Sequence, residues 1–108
     1  MELGNDDYPV IEYKILSYLY ACLKSGKDPD ARKIDDKAFG INERYWERII
    51  LSLAESRKVV GVYKDDDDKV VFDKLSITTK GIERLFDSDI MKMAAEFVKS
   101  SRSRVPRP

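Results

Sequence analysis

From Ile11 onward, apolar residues recur every three or four positions. Ile11, Ile15, Leu16, Leu19, Cys22 and Leu23 share one side of a helix. Pro9 stands in the first turn, where a missing N–H costs little, and Gly26 is a C-terminal stop. The spacing predicts a first helix from about Pro9 to Ser25. Lys27 to Lys33 is polar and contains the turn signal Asp28-Pro29, so Ile34 stands alone as a buried residue of a short extended piece. Asp35 is an N-cap for a short helix that ends at Gly40 and carries Ala38 and Phe39. The next start is the clearest in the chain. Asn42 is the cap, and Ile41 with Trp46 can form a hydrophobic staple across it. Trp46, Ile49, Ile50, Leu53 and Ala54 then mark one face of a helix ending near Ser56.

Beyond Ser56 the period changes from helical to alternating. Val59, Val60, Val62 and Tyr63 form one β-branched and aromatic run, and Val70, Val71, Phe72, Leu75 and Ile77 form another. The polar segment Lys64–Lys69 between them makes a β-hairpin the natural reading. No more than about three strands fit in the chain, so the sheet is small. Thr78 or Thr79 caps the following helix, whose Ile82, Leu85 and Phe86 are expected to face inward. Ser88 caps a last helix from about Asp89 to Lys99. Residues 1–8 read as a flexible acidic lead-in, residues 9–99 as one folded domain, and residues 100–108 as a disordered basic tail.

The order is three helices, a hairpin and two helices. Two short helices that meet around Phe39-Gly40-Ile41-Asn42 suggest a helix-turn-helix. A hairpin directly after it stands where a wing would, and it needs the helices to cover its apolar face. The expected fold is therefore α+β: a winged helix, mostly helical, with a small antiparallel sheet and two C-terminal helices. The segment Ile77-Thr78-Thr79-Lys80-Gly81-Ile82-Glu83-Arg84-Leu85 looks like the Leu-Thr-x-x-Gly junction where the wing of many winged-helix regulators enters the next helix.

Across residues 9–99 the chain resembles the YjcQ family, small proteins of bacteria and their phages. The resemblance rests on Ile15-Leu16-Ser17-Tyr18-Leu19, Ala38-Phe39-Gly40-Ile41, Trp46-Glu47-Arg48, Gly61-Val62, Ile77-Thr78-Thr79-Lys80-Gly81 and Met91-Lys92-Met93-Ala94. It implies a winged-helix-like fold with no established activity. The family's phage members imply a prophage or phage-related role.

Charge adds a constraint. The 20 basic and 20 acidic residues cancel, so a grip on nucleic acid would have to come from local clustering. Lys99, Arg102, Arg104 and Arg107 stand together without an acid, which leaves the rest of the chain acidic. Their plainest reading is an ordinary basic chain end. The single cysteine rules out an internal disulfide and fits a reducing compartment. No stretch has the length of a membrane span, and the acidic start does not read as a secretory signal. A cytoplasmic location is expected.

Several kinds of chemistry lack their residues. Without histidine, the usual general base and the commonest metal ligand are missing. Cys22 lies on the apolar face of the first helix and reads as a packed thiol. No glycine-rich loop follows a strand. Asp65–Asp68 could hold a hard cation in principle, but Val70 stands where an EF-hand loop needs glycine. A solvated acidic turn is the plainer reading. Tyr63–Lys69 is also similar to a common acidic epitope tag, and its place inside the hairpin favours a native turn. No enzyme activity, cofactor, metal or small-molecule substrate is expected.

Double-stranded DNA is the first candidate partner. The second helix of a helix-turn-helix enters the major groove with its N-terminal, outward side chains on base edges. Here those are Asn42, Arg44 and Arg48, with Lys80 and Arg84 as candidate backbone contacts. Glu43 and Glu47 oppose this, and with the arginines they also make an ordinary solvated face of paired charges. The acidic hairpin tip would repel a polyanion. The second candidate partner is another copy of the chain. Ile90, Met91, Ala94, Phe97 and Val98 belong to an apolar arc on the last helix wider than one core contact needs. The alternatives there are a homodimer and a monomer whose first helix covers both sides. The leading function is a small DNA-binding transcriptional regulator of prophage type. An adaptor or phage accessory protein on the same scaffold is the runner-up.

Overall fold

The computed structural model describes residues 2–108. Five helices and one hairpin follow in the order α1 (Tyr8–Ser25), α2 (Asp36–Phe39), α3 (Glu43–Glu55), β1 (Val59–Lys64), β2 (Val70–Ile77), α4 (Thr79–Asp87) and α5 (Asp89–Ser100). The α+β class with a hairpin is as expected. α1 starts one residue early because Asp7 takes the extended N-cap position and puts Pro9 in the first turn. Gly26 closes α1 in the left-handed conformation, at φ 66°.

α1 is the hub, packed against α5, β2, α4 and α3. Val10, Ile11, Ile15, Leu16, Tyr18, Leu19 and Cys22 are all buried, so α1 buries more than one stripe of its surface. α3 leans on it through Ile49, Ile50 and Leu53. The Asn42 cap holds as expected, with Asn42 Oδ1 accepting the Tyr45 N–H at 2.8 Å. Trp46 goes further than a staple. Its Nε1 donates to the Ile34 carbonyl at 2.7 Å, and its ring meets Phe72 of β2 edge-on at 6.0 Å. One side chain thus ties α3 to both the α1–α2 connection and the hairpin.

The sheet has two strands. The segment that could have supplied a third is spoiled by Pro29, which has no N–H to donate, and by a 3₁₀ turn at Ala31–Lys33. Ile34 still fills the core. The hairpin is also kinked. Val60 pairs with Ser76 and Val62 with Phe72, so Gly61 alone faces Asp73, Lys74 and Leu75. Gly61 has φ 89°, and a Cβ there would stand 2.5 Å from the Asp73 carbonyl oxygen. Gly61→Ala is therefore expected to cost about 2–3 kcal/mol. Urea unfolding would show a lower midpoint, and a midpoint equal to that of the parent would contradict this bulge.

One expectation is corrected. Phe86 does not face inward: it is 55% exposed, resting edge-on against Tyr20. The inward line of α4 runs through buried Gly81 and Arg84, and Phe86 lies about 140° round the helix from Gly81. At the C-terminal end, residues 101–108 lie along the body. Val105 packs on the core, and Lys33 Nζ donates to the Arg107 carbonyl at 2.8 Å. At the other end, the Tyr45 hydroxyl donates to the Asp6 carbonyl at 2.8 Å. Apolar anchors at Tyr8 and Val105 explain why these polar ends lie on the body.

Candidate nucleic-acid interface

α2, the turn at Gly40 and α3 present the N-terminal end of α3 to solvent. Gly40 ends α2 in the left-handed conformation at φ 66°, and Asn42 restarts the chain as a helix. Because Trp46, Ile49, Ile50 and Leu53 anchor one face, the opposite face must carry Arg44 and Arg48, one turn apart. Both are exposed. Neither makes an ion pair among the described residues. Glu43 and Glu47 lie beside them, Glu43 exposed and Glu47 half-buried. Asn42 Oδ1 is spent on the cap, which leaves its side-chain N–H groups to donate. Asp6 and Asp7 also lie close to this end, near enough to Tyr45 to help burial raise its hydroxyl pKa.

Lys80 is exposed in the first turn of α4 and has no acidic partner among the described residues. Arg84 is not available as a phosphate contact. Its Nε and Nη2 donate to the two carboxylate oxygens of Glu12 at 2.9 and 3.1 Å, and its Nη1 donates to Ser88 Oγ at 3.0 Å. The Glu12 hydrogen bonds raise the guanidinium pKa further. Glu12 is 2% exposed, and Lys58 Nζ approaches the same carboxylate at 3.7 Å. This cluster joins α1, the residue before β1, and α4. The sequence reading missed it, although one signal was there: a glutamate directly beside Ile11 in a strongly apolar helix needs a cationic partner.

The hairpin tip is a structured turn. Asp65 Oδ1 accepts the N–H groups of Asp67 and Lys69, both at 2.9 Å. Lys64 pairs with Asp68 at 3.3 Å on the open surface. Among the described residues no three acidic or cysteine side chains converge as metal ligands would. Cys22 is buried in the core.

The structure divides the candidate partner residues of α5. Met91, Ala94 and Val98 are buried against the rest of their own chain, since spacings of three and four residues turn them onto α1. Of the other two, Ile90 is 42% exposed and Phe97 is half-buried.

Comparison with known proteins places the chain. The family model described as YjcQ protein matches residues 13–103. The chain belongs to the YjcQ family. The match takes in α2, α3, the hairpin and both C-terminal helices of this YjcQ chain. No curated protein and no solved structure shows significant similarity to it. Among the described residues, no helix of this YjcQ chain is long and apolar enough to cross a membrane.

Proposed function

We propose that this YjcQ-family chain is a small cytoplasmic winged-helix protein, without enzymatic chemistry, that binds double-stranded DNA as a prophage-type transcriptional regulator. The observation that supports this most is the free, exposed arginine pair of α3. Arg44 and Arg48 stand one turn apart at the N-terminal end of the second helix of a helix-turn-helix. That is where such a helix meets base edges, and guanidinium groups there can take guanine in bidentate fashion. Lys80 adds a backbone contact. Arg84 acts indirectly, holding α4 and hence Lys80 against α1 through Glu12. The acidic tip, Asp65–Asp68, must lie away from the duplex, because it would repel phosphates.

Fluorescence anisotropy with labelled duplex DNA at low and physiological salt tests this. Binding should weaken steeply as salt rises. Arg44→Ala with Arg48→Ala should reduce affinity about 30-fold or more, from the loss of two base contacts. Binding that the double variant leaves unchanged would remove α3 from the interface. A second reading, a protein–protein adaptor on the same scaffold, is favoured by the large exposed apolar side chains Phe86, Ile90 and Met93 on α4 and α5.

A further inference from the structure

The outward side of α5 carries a charge pattern that the DNA reading leaves unused. Asp89, Lys92, Glu96 and Lys99 follow at intervals of three, four and three residues, the spacing of a single stripe along a helix. All four are exposed. None forms an ion pair with its own chain among the described residues, although Lys92 and Glu96 are one turn apart. The signs are inverted about Ala94: Lys92 and Glu96 lie two residues either side of it, and Asp89 and Lys99 lie five.

We propose that this stripe is an antiparallel contact with α5 of a second copy of the chain, the two-fold axis crossing the helix at the level of Ala94. In that register Asp89 meets Lys99 of the partner subunit, and Lys92 meets Glu96 of the partner subunit. Each pair occurs twice, as an isologous interface requires. A parallel arrangement would set like charge against like, so the pattern also fixes the orientation.

Exposed ion pairs contribute little alone, and the flanks of the stripe supply apolar contact. On one side lie Met93 and Ile90, 43% and 42% exposed. On the other, Tyr20, Phe86 and Ala95 line an open groove between α1 and the α4–α5 pair. Lys92 borders this groove and also a second one formed by Leu3, Met93 and Phe97. The stripe is thus a ridge between two apolar grooves, and two such ridges can pack side by side. This inference goes beyond the DNA reading and stands without it.

Sedimentation equilibrium over a wide concentration range at low salt tests it. The unmodified chain should approach twice its 12.5 kDa mass. Lys92→Glu alone, or Glu96→Lys alone, sets like charges together across the axis and should raise the dissociation constant about tenfold or more. Combining the two substitutions restores opposite charges and should restore the dimer. Both positions are exposed, so circular dichroism should show the fold unchanged in every variant. A monomer mass throughout would overturn the proposal. So would single variants that dimerise like the parent, or a double variant that stays monomeric with its fold intact.

Discussion

Replacing Glu12 with alanine is expected to lower folding stability by about 3–5 kcal/mol and the unfolding temperature by about 15 °C or more. Its side chain keeps only 3% of its surface exposed, and two cations depend on it. Arg84 and Lys58 keep only 29% and 23% of their side-chain surface exposed. Without Glu12, a bidentate guanidinium is left under α4 with Ser88 as its remaining side-chain partner. Thermal unfolding followed by circular dichroism measures the loss. A Glu12→Leu, Arg84→Leu double variant should cost clearly less than the two single changes summed, because it removes the buried charges together. Full additivity would mean that the pair is not coupled.

A second large loss is expected from Trp46→Ala, about 3–5 kcal/mol. The substitution empties a site that is 7% exposed. It also strands the Ile34 carbonyl and removes the ring against Phe72. Because Trp46 joins α3 to the hairpin, the loss should reach the proposed DNA face as well. Trp46→Phe keeps the ring contact and should cost about half as much, the remainder reflecting the lost hydrogen bond. Urea unfolding of the two variants separates these parts, and an alanine variant within about 1 kcal/mol of the parent would contradict this anchoring.

Much of the fold could be read from local signals. The caps at Asn42, Thr78 and Ser88 and the stops at Gly26 and Gly40 act within a few residues, and each holds in the structure. The Asx-turn at Asp65 is equally local. What escaped the sequence depends on distant partners. Arg84 looked like a surface cation because Glu12, its partner, lies 72 residues away. Phe86 looked buried because apolar spacing cannot show that an arginine occupies the inward line of its helix. The two-sided arc on α5 became a single buried stripe, Met91, Ala94 and Val98, once α1 lay beside it. For the candidate interface, Arg44 and Arg48 were legible because the helix period alone turns them outward from Trp46 and Ile49. Their neighbours Asp6 and Asp7 were not, since contacts far apart in sequence, the Tyr45 hydroxyl bond and the Tyr8 ring against Tyr45, bring that segment to α3.

DNA contact through α3 is tested most directly by titrating a nitrogen-15-labelled sample with a short duplex at low salt and following the amide resonances. The amides of Asn42 to Arg48 and of Lys80 should shift together and saturably, with Asp65–Asp68 and α5 left in place. Shifts centred on the hairpin tip or on α5 would contradict the proposed interface, as would none at all under conditions where even non-specific contact registers.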